Sequence, residues 1–382
     1  MEDPAVLARM LWHELPRHGD FRPRPHVQFL YDRGIPLWAG ESVGWLLSRL
    51  GGCSIQRGTL DLPALRTARA LLLDGPYPFA VAPEGATNGH NEVVSPLEPG
   101  VAQLALWTAD DLERAGRPER TVVLPLGVQY AFTRPVWPAL EALIAQMEQD
   151  AGLPPVAADP APGPGTLYPR LLALAGRILS RMETFYREAY QRNLPIPPTD
   201  LDPTADLGGR LSRLLEAALG VVEQSLAVET HGDWGERCRR LEQVGWERQY
   251  SAMGASPCAL ERGLAERLAE ETAQRLWHMR LVESFVAVSG RYVRERPSQE
   301  RFADTLLILW DTLCRIRGGT PERRPRLGPR RAVVRIGEPL AMEMWLQAYR
   351  RQRRTAVADL TTELQQRLEA LIVSSQAPGA GL

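Results

Sequence analysis

The residues best suited to chemistry lie in one stretch, Phe79-Ala80-Val81-Ala82-Pro83-Glu84-Gly85-Ala86-Thr87-Asn88-Gly89-His90. An apolar run that reads as a strand enters Pro-Glu-Gly directly. This sets a carboxylate at the strand's carboxyl end, where open α/β sheets bind their ligands. Gly85 has no side chain, so its backbone can come close to a substrate. The same residues also fit a plain exit from strand to turn. A second chemical pattern is Gly40-Glu41-Ser42-Val43-Gly44, which follows the apolar residues 35–39, precedes a helical pattern and fits a G-x-S-x-G nucleophile elbow. A serine hydrolase further needs parallel strands that deliver an acid and then a histidine. The downstream chain offers mainly helical patterns around His231 and His278, so Ser42 is the lesser alternative.

Three more blocks accompany the Pro-Glu-Gly stretch in a fixed order. Upstream is Gly51-Gly52-Cys53-Ser54-Ile55-Gln56-Arg57, a glycine turn and strand ending in arginine. Downstream are residues 96–105, where a glycine opens a helix, and Val122-Val123-Leu124-Pro125-Leu126-Gly127, a buried strand carrying a proline. Together the four blocks resemble the glycerolipid acyltransferase family, which includes lysophosphatidic acid and glycerol-3-phosphate acyltransferases. Pro83-Glu84-Gly85 is similar to that family's Phe-Pro-Glu-Gly-Thr block. The resemblance covers residues 3–135, with a weaker echo at 333–340. It implies that Arg57, Glu84 and Gly85 bind the acyl acceptor, with Arg57 reaching its phosphate. A guanidinium matches phosphate oxygens with a rigid fork of donors, and a carboxylate accepts hydrogen bonds from glycerol hydroxyls. A surface salt bridge is the plainer role for Arg57. The implied acyl donor is a thioester on coenzyme A or an acyl-carrier protein, used as co-substrate, with no bound cofactor and no metal.

The family's first block is a histidine followed five positions later by an aspartate. The imidazole takes the acceptor hydroxyl's proton as that oxygen attacks the thioester, and the aspartate orients the ring. None of His13, His18, His26 or His90 has an acidic residue five positions on. His231 and His278 do, but they fall downstream of the other blocks and read as helix-surface or core histidines. Asp3-Pro4 and the apolar helix that follows resemble the end of the first block. The chain is therefore expected to start inside its catalytic motif, with Asp3 as the orienter of a histidine that falls before Met1. Either the start is placed late or activity is lost, and the second case gives a catalytically silent lipid-binding homologue. Ala82 and Ala86 depart from the family's Phe and Thr, so substrate choice does not carry over. His90 sits in an Asn-Gly-His-Asn turn beside the expected site and could contact a headgroup, although an exposed turn histidine is the simpler reading.

The elements that must position these residues alternate along the first third of the chain. Helices are expected at 6–15, 42–50, 62–73 and 100–109, and strands at 27–31, 53–56, 77–82 and 121–131. This is an α/β layer pattern. Under the resemblance it implies a glycerolipid-acyltransferase-like mixed sheet flanked by helices. Residues 154–165 and 195–203 are rich in proline and mark connectors. Helical periodicity fills the rest, including 259–293 and 302–316. A β signal returns at 332–336 and a helix at 355–372. The division expected is 1–135 for the α/β domain, 136–320 for a large, mainly helical insertion, and 321–382 for a strand that rejoins the first sheet and a last helix.

Composition sets the outer bounds. The 382 residues are 44% hydrophobic and 24% charged, which excludes a wholly disordered or low-complexity chain. All 45 basic residues are arginine, which excludes Schiff-base and P-loop lysine chemistry. Net charge is -1, so nothing global favours nucleic acid. The four cysteines form no C-x-x-C pair, and a reducing cytoplasm is the expected compartment. No apolar stretch reaches the ~20 residues of a membrane span. Arginine clusters at 323–331 and 350–354 suit anionic headgroups, so a peripheral place at the membrane surface is expected.

Overall fold

The computed structural model describes residues 3–19, 25–35, 40–56, 61–85, 88–195, 206–250, 258–283, 285, 291–319 and 324–373. The chain begins with helix α1 (Asp3–Arg9), whose hydrogen bonding widens to a π turn over Met10–Glu14 and tightens to a 3-10 turn over Leu15–Arg17. Then come β1 (Gln28–Asp32), α2 (Glu41–Arg49), β2 (Gly52–Ile55), α3 (Leu62–Asp74), β3 (Phe79–Ala80), α4 (Gly100–Arg114), β4 (Val122–Val123) and β5 (Leu126–Phe132). A helical run follows: α5 (Trp137–Asp150), α6 (Pro164–Tyr190), α7 (Leu207–Leu226), α8 (Trp234–Tyr250), α9 (Ala259–Glu283), α10 (Tyr292–Glu295) and α11 (Gln299–Ile316). The described chain closes with β6 (Arg330–Ile336), β7 (Leu340–Ala341), α12 (Glu343–Arg351) and α13 (Arg353–Leu371). The protein is mixed α/β and predominantly helical.

Contacts divide the chain into two compact units. The first takes Met1–Thr87, Glu92–Tyr130 and Ala332–Val373; the second takes Asn88–Asn91, Ala131–Arg331 and Ser374–Leu382. In the first unit, β2-β1-β3 form a parallel sheet, with Phe29 opposite both Gly52 and Ala80. Helix α4 is the central beam of this unit. Leu104 faces Cys53 and Ala68 on the sheet side, while Leu106 and Ala109 pack with Met342, Tyr349 and Leu360 from the returning chain. Ion pairs lock the same helix outside the core: Asp111 takes Arg69, and Asp110 takes Arg350 at 2.9 Å.

The second unit shows what an all-arginine composition does inside a helical bundle. Arg170 grips Glu148, Arg210 grips Glu183 and Arg237 grips Glu223, each through Nε and a terminal nitrogen at 2.7–3.0 Å. The Arg210 and Arg237 pairs are buried on both sides. Planar forks satisfy both carboxylate oxygens at once, which lets the helices α5 to α8 carry these glutamates into their contacts already paired.

Several expectations are corrected. The expected helix at 6–15 keeps α geometry only to Arg9. The strand expected at 121–131 is two, interrupted by Leu124 and Pro125, because proline cannot donate to a ladder. The returning strand does not join the parallel sheet among the described residues: β6 pairs with β5, and Leu340–Ala341 pairs antiparallel with Val122–Val123. The long helix expected over 259–293 is described as Ala259–Glu283, a turn at Phe285 and the short helix Tyr292–Glu295, while residues 284 and 286–290 lie outside the described residues.

One small device holds the sheet's carboxyl edge. Asp61 caps α3 by accepting from the Ala64 N–H at 3.1 Å, and it also accepts from the Gln56 N–H at 3.0 Å and from Arg33 at 2.5 Å. Burial pushes this carboxyl up, but the two backbone donors and Arg33 outweigh burial and hold it below its ordinary range. Replacing Asp61 by Ala is expected to cost about 2 kcal/mol in urea unfolding, the sum of a lost cap and a lost charge-assisted bond. A folded-state pKa below the unfolded one stabilises at neutral pH, and that contribution fades as acid protonates the group. The gap between wild type and variant should therefore shrink as pH falls through the carboxylate range.

Candidate functional site

Strand β3 leads through Val81 and Ala82 into a turn at Pro83-Glu84-Gly85, and a strap at residues 93–98 closes back over it. The Glu84 carboxylate accepts from the Ser95 N–H at 2.7 Å and from the Ser95 side chain. The Glu98 N–H donates to the Pro83 carbonyl at 2.8 Å. Gln365 on α13 fixes the strap from the other side: its Oε1 accepts from the Leu97 N–H at 3.1 Å, and its Nε2 donates to the Val94 carbonyl. Gly85 has φ +68, and a Cβ there would stand 2.2 Å from a Glu98 carboxylate oxygen. The left-handed backbone is what requires glycine here, and the Glu98 side chain packs against the space it leaves.

Asp3, at the start of α1, belongs to the same unit. Its Oδ1 accepts from the Tyr130 hydroxyl at 2.5 Å, which ties the first helix to β5. Asp3 lies close enough to Glu84 for its charge to act on the Glu84 carboxylate. Burial first, then the Asp3 charge, lifts the Glu84 carboxyl above its ordinary range, while the Ser95 donors pull it down. The structure therefore brings together two of the residues singled out by sequence, with Gly85 in the turn between strand and strap. Arg57 lies outside the described residues. The residues on either side of 57–60 are described, and Asp61 bridges them through the Gln56 N–H.

His90 is not the exposed turn histidine expected. It is half-buried in the second unit, its ring set edge-on to Tyr292 at 4.5 Å and its Nδ1 2.9 Å from the Asn88 carbonyl. Burial, helped by the nearby Arg301 charge, holds its pKa below the ordinary value despite the Asn88 bond. The Asn91 N–H and the Tyr292 hydroxyl both donate to Asp304. These bonds pack the turn that carries His90 into that unit. Ser42 is exposed on the first turn of α2, with no histidine or acid bonded to it among the described residues. His231 meets Arg240, and His278 is buried against the Tyr186 hydroxyl at 2.6 Å, where burial lowers its pKa to about 4.

Sequence reading missed Ser95, Glu98, Tyr130 and Gln365. Ser95 stands 11 residues after its partner and Gln365 lies 268 positions from Leu97, distances at which no local period links residues. Among the described residues no group of three His, Cys, Asp or Glu could hold a metal ion. The chain was compared with models of known families, with curated proteins and with solved structures, and none of them matches it.

Gly85→Ala tests the turn. A left-handed backbone costs a non-glycine residue about 1–2 kcal/mol, and the Glu98 carboxylate must swing aside as well. Thermal unfolding of the variant should begin markedly lower than that of wild type. Unchanged stability would mean the turn does not pack as described.

Proposed function

We propose that this protein is an acyltransferase. It moves an acyl chain from a thioester donor, acyl-coenzyme A or acyl-carrier protein, to a hydroxyl of a phosphorylated glycerolipid precursor such as lysophosphatidate or glycerol 3-phosphate. The observation that carries the reading is the approach of Asp3 to Glu84 beside the glycine turn at the carboxyl end of β3. Two carboxylates there suit two tasks. Glu84, held by Ser95, is an acceptor for glycerol hydroxyls, and Asp3, held by Tyr130, is an orienter for an imidazole base. Arg57 follows β2 in the chain and would answer the substrate's phosphate. On this reading the first unit is an acyltransferase-like α/β domain, the helical segment is an insertion in it, and the protein works in phospholipid synthesis as a cytoplasmic protein at the membrane surface. Among the described residues no helix is long and apolar enough to cross a membrane.

A second reading, a catalytically silent lipid-binding homologue, is favoured by one contact: the group bonded to Asp3 is the Tyr130 phenol, where the mechanism asks for an imidazole. Labelled acyl donor and lysophosphatidate separate the two. If Asp3 orients a base, turnover is expected to rise about a hundredfold when free imidazole is added, or when an extension places a histidine five residues before Asp3. It should also climb with pH through the imidazole range near ~6.5, since only the neutral ring accepts a proton. Glu84→Gln keeps an acceptor oxygen but loses the charge, and should lower kcat/KM at least about tenfold. No turnover in any form, with lysophosphatidate still bound, would establish the silent binder.

A further inference from the structure

The arginine clusters expected to meet a membrane are partly spent on the protein itself: Arg350 pairs with Asp110 and Glu113, and Arg324 with Asp311. A different element of the first unit keeps its surface open. Helix α2 packs against β2 with its half-buried residues, Val43, Gly44 and Leu47, and the Leu47 carbonyl lies close over Gly52. At 100° per residue its other side gathers Ser42, Trp45, Leu46, Arg49 and the following Leu50. Trp45 is 61% exposed, Leu46 47% and Leu50 36%. Single exposed apolar side chains are ordinary on protein surfaces, but here a tryptophan and two leucines share one face of a nine-residue helix.

We infer that this face of α2 is a lipid-docking surface, which seats Trp45, Leu46 and Leu50 at the boundary of headgroups and acyl chains while Arg49 meets lipid phosphate. The charge pattern favours a phosphate-bearing surface over a second copy of the chain. Arg49 stands between the apolar residues, its guanidinium 5.2 Å from the centre of the Trp45 ring, with no acidic partner among the described residues. A second copy of the chain would pair this face with itself and bring two guanidinium groups into one drying seam, with no carboxylate among the described side chains of the face to answer them. A bilayer supplies phosphates at the depth where tryptophan and a snorkelling arginine are both favoured. The surface lies on the unit that carries Asp3 and Glu84. The inference rests on the proposed function only for the choice of a lipid, since the binding it describes needs no turnover.

Flotation of the full chain with phosphatidylcholine vesicles, with and without phosphatidylglycerol, tests it. Wild type should float with both and more strongly with the anionic set. Trp45→Ser combined with Leu46→Ser should cut partitioning about tenfold or more on both. Arg49→Gln should weaken binding about fivefold on anionic vesicles alone. These side chains are exposed, so far-UV circular dichroism of both variants should match wild type. Equal flotation of wild type and double variant would overturn the inference, as would no flotation of wild type. So would a dimer, seen by sedimentation, that the double substitution dissolves. Flotation without acyl transfer would count against the enzyme reading and leave this surface standing. Transfer to a short-chain, water-soluble acceptor without flotation would do the reverse.

Discussion

A carboxylate on the sheltered side of a tight turn stays in place only if donors come to it, because burial alone would drive it to its neutral form. Glu84 is in that position, and the donors come from Ser95 on the strap that follows the turn. The strap has its own anchor in Gln365, which takes one backbone donor from 268 positions away and supplies one side-chain donor across 271. Gly85 lets the Glu98 side chain lie against the turn, and the Glu98 N–H closes it on the Pro83 carbonyl. The last helix among the described residues therefore sets the geometry of a motif far upstream in the sequence. This is a physical reason for the chain to return to its first unit after residue 331.

Burial is the main force that raises the Glu84 carboxyl, and Asp3, a second negative charge nearby, adds a smaller push in the same direction. Each carboxylate already has a donor, Ser95 for Glu84 and Tyr130 for Asp3, and the two negative charges still lie near one another. The pair gains from a ligand that brings hydroxyl donors to the carboxylates, and from a cation that offsets their charge. Arg57 is the cation that sequence order offers. Asp61 serves this arrangement from outside it, because one buried carboxylate ties the end of β2 to the start of α3 across residues 57–60. The same economy appears in the helical unit, where arginine forks neutralise buried glutamates pairwise.

Much of the α/β character was legible in the sequence because it is written in local periods. The strands at 28–32 and 52–55 and the helices at 62–74 and 100–114 follow apolar alternation and helical spacing to within a few residues. The errors have physical causes. Pro125 breaks a ladder that hydrophobicity alone would continue. Strand partners are chosen by long-range packing, so the pairing of β6 with β5 had no local signal. His90 looked exposed because its neighbours are turn formers, yet Tyr292 and Asp304, some 200 residues away, bury that turn. At the site, Glu84 and Gly85 were visible through a strand that ends in Pro-Glu-Gly, whereas Ser95, Tyr130 and Gln365 matter only through contacts made in three dimensions.

The claim on which this account turns is that Asp3 and Glu84 feel each other in one site. Carbon-13 titration of the Glu84 side-chain carboxyl, identified by its loss in Glu84→Gln, measures this directly in wild type and in Asp3→Asn. The account predicts a midpoint above the ordinary glutamate range in wild type and a lower one once the Asp3 charge is gone. An ordinary midpoint that does not move on the Asp3 substitution would show that the two carboxylates stand apart, and the proposed site would fall with them.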